Sequence, residues 1–309
     1  AMMLQMLPML AFADDAPGTG EVRNKRTGTT YTSLATAVAE AQSGDTIELG
    51  EGNYTLYGVP SVGSTQGKDL TFVGQGPDKT AWNIGAEVPD PSKYGTEYNG
   101  DYSFDGAGTV TFKNMTLRSG DANYLGFIRA NNTVVDNCVI NGRTFYWGYQ
   151  SAKFINTTFN APPSGEYMLW TYSSPIMTFD TCTFNATGKV INVYTDYGAG
   201  KQDITVNFNN CTVNSSSGKT ALNINDSNMG SYKYILNITG DNHVTAERDT
   251  TTCTQLFGFG GKLNELIKNS NSGRTEVNID GKCVWKDGKM QTHAYTDGEH
   301  DHAFTTTYS

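Results

Sequence analysis

Short segments in which apolar and polar residues alternate recur along the middle of the chain. Each has an apolar residue, then Asn or Thr two positions later, a small residue or Cys, and a second apolar residue that Asn usually follows. The five copies occupy residues 112–117, 135–141, 154–160, 179–185 and 208–214, and their starts lie 23, 19, 25 and 29 residues apart. A repeat of this length, with no helical stripe between copies, predicts a solenoid of short strands and turns.

Each copy of the repeat predicts one turn of the solenoid, which we name a rung. A single rung cannot bury its apolar side chains, but rungs stacked about 4.8 Å apart would place Phe on Phe and Cys on Cys in one core. Asn in the turns accepts left-handed backbone and can bond to the Asn above and below. The pattern therefore favours an all-β fold with a continuous apolar interior.

A helical pattern precedes the repeats. Leu34, Ala37, Val38 and Ala41 are spaced i, i+3, i+4 and i+7. This spacing predicts a short amphipathic helix, for which Thr32 or Ser33 would be the N-cap. Because an open end of a solenoid exposes apolar core and unpaired strand edges, we expect this helix to cover the first rung.

The residues around this helix resemble a known group of proteins. They are YTSL at 31–34, Ala37, Ala41, GDTI at 44–47 and GNY at 52–54. Together they are similar to the N-terminal cap and first rung of the secreted right-handed parallel β-helix proteins, the pectate-lyase-like superfamily. The resemblance covers residues 27–285 and implies a right-handed parallel β-helix with a short N-terminal capping α-helix. That superfamily includes lyases, hydrolases, esterases, phage tail proteins and adhesins, so the resemblance implies no single activity.

The first residues have the character of an export signal. The apolar run MMLQMLPMLAF at 2–12 leads into AFA and then DDAP, which indicates the end of a secretory signal peptide cleaved after Ala13. We therefore divide the chain into a signal-peptide remnant (1–13), an N-terminal extension (14–26), the β-helix (27–285) and a C-terminal tail or linker (286–309). We therefore expect a secreted or cell-surface protein, with this chain as part of a longer whole.

Composition narrows the range of partners. Only 17% of residues are charged, and the net charge is −9 with a pI near 4.9, the opposite of the basic footprint that nucleic-acid binding needs. After the first residues, no apolar stretch approaches the 18 residues that would suggest a membrane span. We therefore expect neither nucleic acid as a partner nor insertion into a membrane.

The catalytic motifs of the superfamily find no match in this sequence. A paired-aspartate element, a Gly-His-Gly element and an Arg-x-Lys element on neighbouring rungs would mark a polygalacturonase-like hydrolase, and none is present on the rungs; the pair Asp14-Asp15 lies at the predicted cleavage site. Asp196, Asp226 and Arg129 are the candidates for an atypical acidic site, with ordinary surface charge as the alternative. Under a lyase interpretation Ca²⁺ would be the cofactor; otherwise none is expected.

Aromatic residues follow the turns on four successive rungs. Strand alternation sends only every second side chain inward, so part of this set is expected on the surface. The candidate ligand-binding platform consists of Tyr146, Tyr149, Tyr172, Tyr194 and Arg129. Exposed rings one rung apart suit the sugar rings of a polysaccharide. The alternative is that these rings fill a wide core.

Histidines and cysteines add two further hypotheses. His293, His300 and His302 alternate with acids near the end of the chain and are candidates for a transition-metal site, unless the segment is a tail. The cysteines are Cys138, Cys182, Cys211, Cys253 and Cys283, without a CxxC motif. Buried free thiols are the favoured interpretation, and the oxidation state of Cys182 and Cys211 stays open.

Three functions remain. The leading hypothesis is a noncatalytic extracellular module, adhesin-like or polysaccharide-binding, whose partner is a polysaccharide or a cell-surface glycan. The second is a polysaccharide lyase or glycoside hydrolase with an atypical acidic site. The third is a structural stalk.

Overall fold

Short strands with alternating apolar side chains pair side by side into the predicted parallel β-helix. The computed structural model describes residues 15–54, 67–83, 104, 106–118, 124–125, 130–144, 147–161, 168–170, 175–187, 191–192, 202–215, 222–223, 231–246, 274–287, 289–290 and 304–308. In this part of the chain no helix is long and apolar enough to cross a membrane.

The elements in chain order are β1 (Val22–Asn24), β2 (Thr30–Tyr31), α1 (Leu34–Glu40), β3 (Thr46–Leu49), β4 (Gly52–Tyr54), β5 (Thr71–Val73), β6 (Thr80–Asn83), β7 (Thr109–Lys113), β8 (Thr116–Arg118), β9 (Tyr124–Leu125), β10 (Asn132–Asp136), β11 (Val139–Asn141), β12 (Arg143–Thr144), β13 (Ser151–Ile155), β14 (Thr158–Asn160), β15 (Leu169–Trp170), β16 (Ile176–Asp180), β17 (Thr183–Ala186), β18 (Ile191–Asn192), β19 (Ile204–Asn209), β20 (Thr212–Ser215), β21 (Leu222–Asn223), β22 (Tyr234–Thr239), β23 (Asn242–Ala246), β24 (Thr275–Ile279), β25 (Lys282–Lys286), β26 (Lys289–Met290) and β27 (Phe304–Tyr308).

The strands form three sheets. Sheet A has the order β2-β1-β3-β5-β7-β10-β13-β16-β19-β22-β24-β25-β26, sheet B the order β27-β23-β20-β17-β14-β11-β8-β6-β4, and sheet C the order β21-β18-β15-β12-β9. From β3 to β24 the neighbours in sheet A are parallel, and antiparallel pairs occur only towards its two ends. A rung runs from sheet A through a tight turn to sheet B and then to sheet C.

The turn between sheets A and B depends on left-handed backbone. Asn114, Asn137, Asn156 and Asn210 have φ between 44° and 56° in this turn, and Thr181 takes the same conformation at 57°. The amide of Asn137 donates to Asn114 at 3.0 Å, and that of Asn156 donates to Asn137 at 3.2 Å. Asn is among the few L-residues that adopt this conformation readily. The predicted role of the turn asparagines is therefore confirmed.

Columns of like side chains fill the interior. The rings of Phe154 and Phe179 stack at 5.1 Å, and those of Phe179 and Phe208 at 5.0 Å. Phe159 and Phe184 stack at 4.9 Å in sheet B. The in-register pairing produces these stacks, because residues at the same position of successive rungs are Cα partners.

The thiols form another interior column, directly after the turn. Cys138, Cys182 and Cys211 are buried, and together with Cys283 they are free thiols. Burial raises the pKa of Cys138 to about 12, which makes it a poor nucleophile. The prediction of buried free thiols holds for these three residues, whereas Cys253 lies outside the described residues.

The N-terminal helix begins and packs as the sequence predicts. The hydroxyl of Ser33 accepts a hydrogen bond from the backbone N–H of Thr36 at 3.3 Å, and Leu34, Ala37 and Val38 are buried. At the other end of the helix, the ammonium of Lys68 donates to the Val38 and Ala39 carbonyls at 3.1 and 3.0 Å. The Val38 carbonyl also accepts from the backbone N–H of Ala41 at 3.3 Å, so Lys68 adds a positively charged donor at the C-terminal end of the helix, where the last carbonyls are exposed.

The β-helix sheets extend beyond both ends of the range 27–285. Strand β1 lies within the segment 14–26 and pairs antiparallel with β3. Strand β27 lies within 286–309 and pairs with β23. Covering the edge of a terminal strand satisfies backbone groups that would otherwise be open. A three-residue strand carries too little alternation for the sequence to reveal it.

Asp45 joins the first turn of the solenoid to the strands before it. Its side chain is buried and accepts hydrogen bonds from the Arg26 guanidinium, the Asn24 amide at 2.7 Å and the Gln42 backbone N–H at 2.8 Å. The bond from Arg26 is the main reason that the pKa of Asp45 lies well below its usual range. The charged carboxylate therefore stabilises the folded state.

We predict that Phe179→Ala lowers the free energy of unfolding by about 3–5 kcal/mol, because it opens a cavity between two stacked rings. Denaturant unfolding followed by circular dichroism measures the effect. Phe179→Leu is the matched control and should cost less than half as much. Equal and small losses for both variants would contradict the stacked core.

We predict that Asp45→Asn lowers the free energy of unfolding at pH 7 by about 2 kcal/mol, the scale of hydrogen bonds to a charged group. Because the folded-state pKa is depressed, this stabilisation is complete above the unfolded-state pKa of about 4 and is lost as the pH falls below it.

Urea unfolding between pH 7 and pH 2 tests this prediction. The original protein should lose stability more steeply below pH 4 than Asp45→Asn does, while the exposed Asp78→Asn control should follow the original curve. Parallel curves for the original protein and Asp45→Asn would show that this carboxylate is not what couples stability to pH.

Candidate functional site

The outer surface of sheet B carries a regular set of uncharged polar side chains. We name this set the amide face, and it consists of Thr158, Asn160, Thr183, Asn185, Thr212 and Asn214. Phe159, Phe184 and Val213 lie between these residues in the sequence and are buried. Since successive side chains of a strand point to opposite faces, the Thr and Asn side chains point away from the core.

The register of sheet B aligns the amide face in two columns. Thr158, Thr183 and Thr212 are Cα partners in one column, and Asn160, Asn185 and Asn214 are partners in the other. Neighbouring strands lie about 4.8 Å apart, and residues two positions apart in a strand are separated by about 6.6 Å. The face is therefore a rectangular grid in which hydroxyl and amide groups recur on every rung.

The asparagines of the amide face bond to one another along the solenoid axis. The amide of Asn160 donates to the Asn141 carbonyl oxygen at 2.8 Å, Asn185 donates to Asn160 at 2.8 Å, and Asn214 donates to Asn185 at 2.9 Å. A side-chain amide has two N–H donors and two acceptor lone pairs. Each inner member of the ladder uses one of each, so one donor and one acceptor per rung remain to face a ligand.

The ladder also fixes the orientation of these amides. Asn185 and Asn214 are exposed to solvent, yet the side-chain amide of each donates a hydrogen bond to the Asn of the preceding rung. An exposed Asn normally loses side-chain entropy when it binds a ligand. Because the ladder has already ordered them, these side chains form a preorganised surface.

Sheet A carries a comparable ladder among charged neighbours. The amide of Asn207 donates to the Thr178 hydroxyl at 3.0 Å, Asn237 donates to Asn207 at 2.8 Å, and Asn278 donates to Asn237 at 2.9 Å. Asn278 also donates to the carboxylate of Glu276 at 3.2 Å. The two ladders thus share their geometry. The six residues of the amide face are uncharged, although Arg118 is the Cα partner of Asn141 at one end of their ladder, whereas the ladder of sheet A itself bonds to a carboxylate.

Only part of the predicted aromatic platform lies in the described residues. Tyr149 does, and its side chain is 40% exposed, next to the buried Trp147. A second exposed apolar residue lies on the next rung: Ile176 is 47% exposed. Its Cα partner is Ser151, which follows Tyr149 by two positions in the sequence. Tyr146, Tyr172, Tyr194 and Arg129 lie outside the described residues. The structure therefore places one residue of the predicted platform, Tyr149, on the surface.

The candidate catalytic and metal-binding residues lie outside the described residues as well. They are Asp196, Asp226 and Arg129 for catalysis and His293, His300 and His302 for metal binding. Among the described residues, no group of three or more His, Cys, Asp or Glu is arranged to hold a metal ion.

Sequence reasoning missed the amide face although its signal was present. The repeat motif records an Asn after its last apolar residue, and Thr stands two positions before that Asn in 158–160, 183–185 and 212–214. Two polar residues flanking one buried residue indicate an outward pair. The turn asparagines are recognisable from the local sequence, because left-handed backbone favours Asn. A ladder joins residues of different rungs, so it is not visible in any one copy of the repeat.

Comparisons with known proteins identify no relative of this chain: no family model, no curated protein and no solved structure matches it.

We predict that Asn185→Ala lowers the free energy of unfolding about twice as much as Asn214→Ala. Asn185 takes part in two ladder bonds, to Asn160 and from Asn214, whereas Asn214 donates one. Each bond contributes about 0.5–1.5 kcal/mol. Urea unfolding of the two variants measures the ratio, and equal losses would argue against a continuous ladder.

Proposed function

We propose that this protein is a noncatalytic extracellular module that binds a neutral polysaccharide on the amide face. The observation that carries the proposal is the repetition of one outward Thr and one outward Asn on three consecutive rungs, held in register by amide-to-amide hydrogen bonds. A ligand that repeats along its own length can use such a surface at several rungs at once.

The chemistry of the amide face suits sugars. A sugar hydroxyl both donates and accepts a hydrogen bond, and each inner Asn of the ladder has one donor and one acceptor to offer. The Thr column adds hydroxyl groups and methyl groups that can contact the C–H surface of a sugar ring. An extended chain lying along the solenoid axis would meet the same groups at intervals of about 4.8 Å.

Charge favours a neutral ligand over an acidic one. The amide face itself is uncharged, and the whole chain has a net charge of −9. A polyanion would be repelled at long range and would find no cation within the amide face. For the same reason we propose that nucleic acid is not a partner.

Export and family membership form part of the same proposal. The apolar segment 2–12 with the AFADDAP sequence after it supports secretion or surface display. The capping helix and stacked rungs support a relationship to the pectate-lyase-like superfamily, whose resemblance rests on residues 31–54. A polysaccharide is a partner that a secreted or surface-displayed module would encounter.

The test is size-exclusion chromatography of the full chain with a panel of neutral and acidic polysaccharides, with and without Ca²⁺, following polymer length and protein elution. We expect co-elution with a neutral polysaccharide, no shortening of the polymer and no dependence on Ca²⁺. Shortened polymer would show an enzyme, and absence of binding to the whole panel would favour a stalk or a protein receptor.

A matched pair of double variants locates the binding surface. Asn160→Ala with Asn185→Ala removes three ladder bonds from sheet B, and Asn207→Ala with Asn237→Ala removes three from sheet A. We expect the first pair to weaken binding at least about tenfold, because about 1.4 kcal/mol corresponds to that factor, and the second to leave binding unchanged.

Tyr149→Ala separates the amide face from the aromatic platform. If the amide face is the site, this variant keeps its affinity. Loss of binding in Tyr149→Ala, with normal binding by the sheet B variant, would place the ligand on the predicted aromatic platform and overturn the proposed site.

A further inference from the structure

Two thiols occupy the same interior position on consecutive rungs. Cys182 and Cys211 each come directly before residues that are Cα partners in strands β17 and β20. The backbone N–H of Thr212 donates to the carbonyl of Cys182 at 2.9 Å, which ties the two turns together. Both side chains are buried, with exposures of 1% and 0%. The two cysteines are therefore direct neighbours along the solenoid axis.

The side chains of the pair have equivalent surroundings. The Cys182 thiol lies 3.4 Å from the Phe154 carbonyl oxygen, and the Cys211 thiol lies 3.5 Å from that of Phe179, the residue one rung later. The neighbouring Cys182 thiol lowers the pKa of Cys211, and burial raises the pKa of Cys182.

We propose that Cys182 and Cys211 are a modification site, at which oxidation forms a disulfide that links two consecutive rungs. Parallel strands place neighbouring Cα atoms about 4.8 Å apart, and disulfides need a Cα separation of about 4.4–6.8 Å. Both thiols are buried at the same interior position of adjacent rungs, so rotation of their side chains can bring the two sulfur atoms together. The inference is independent of the proposed glycan-binding function.

The reaction needs a small disulfide compound as the oxidant. The Cys211 thiolate attacks one sulfur of the compound RSSR, which forms a mixed disulfide and releases one RS⁻. Cys182 then loses its proton, attacks the Cys211 sulfur and expels the second RS⁻. Two protein thiols and one RSSR thus give one protein disulfide and two RSH, with each proton transferred to a departing thiolate. Because the pair is buried, the first step takes place during folding or local opening of the rungs.

The neighbouring positions of the column make the pairing selective. Thr157 occupies this position on the rung between Cys138 and Cys182, so Cys138 is about 9.6 Å away along the axis, beyond the reach of a disulfide. Cys283 lies on β25, three strands beyond β19 in the order of sheet A. Among the cysteines that the structure describes, Cys182 and Cys211 alone are stacked on adjacent rungs.

The experiment starts from the full chain, reduced and then equilibrated with oxidised glutathione. After denaturation and alkylation, mass spectrometry counts the free thiols, and proteolytic mapping identifies the linked peptides. We expect five alkylated thiols in the reduced chain, since the sequence contains five cysteines, and three after oxidation, with one crosslink between Cys182 and Cys211. An unchanged count of five, or a link that involves Cys138, Cys253 or Cys283, overturns the proposal.

Variants in which one cysteine is replaced by threonine test the same pairing without disturbing the interior column. Thr157 shows that the column accepts Thr, so Cys182→Thr and Cys211→Thr are conservative and should each abolish the crosslink. Cys138→Thr is the matched control and should retain it.

The oxidised original chain should also unfold at a higher urea concentration than the reduced chain, because the crosslink restricts the unfolded state. Identical midpoints for the two forms would count against a crosslink between rungs.

Discussion

In-register stacking of parallel strands is the constraint on which this structure depends. Once rungs repeat every 4.8 Å or so along one axis, each side chain lies directly above the residue at the same position of the previous rung. Like residues then lie side by side: Phe179 packs between two phenylalanines, Asn137 bonds to two asparagines, and Cys182 and Cys211 occupy the same position on adjacent rungs. A change at one position is consequently felt by the neighbouring rungs.

The same constraint gives the surface its chemistry. On the outside of sheet B, stacking holds Asn160, Asn185 and Asn214 in a continuous ladder whose remaining donors and acceptors face solvent. Sheet A has a ladder of the same kind, in which Asn278 bonds both to Asn237 and to the carboxylate of Glu276, so the ladder by itself is a structural feature. What distinguishes the amide face is its lack of charge. A repeating, uncharged surface fits a repeating, uncharged ligand, which is why stability and the proposed binding function share residues there.

The ends of the solenoid follow a different logic from its middle. Strand β1 covers the edge of β3 by antiparallel pairing, and Asp45 binds the Arg26 guanidinium from a buried position. Neither feature belongs to the repeat. The strand at an end has no further rung to pair with, so its backbone N–H and C=O groups need other partners. The sequence revealed the helix at this end through the spacing of Leu34 and Val38. It did not reveal β1, whose three residues carry little pattern.

The sequence by itself determined the all-β solenoid, the capping helix and the use of Asn in the turns, because each of these is a local pattern of apolar spacing or backbone conformation. Only the tertiary structure decided which residues meet across rungs: that Asn185 joins a ladder, that Cys182 lies against Cys211 while Cys138 is separated by Thr157, and that Tyr149 is exposed. The loops between rungs differ in length, so the distance in sequence between stacked residues varies from 19 for Asn141 and Asn160 to 41 for Asn237 and Asn278. Register therefore becomes visible only when the rungs are stacked.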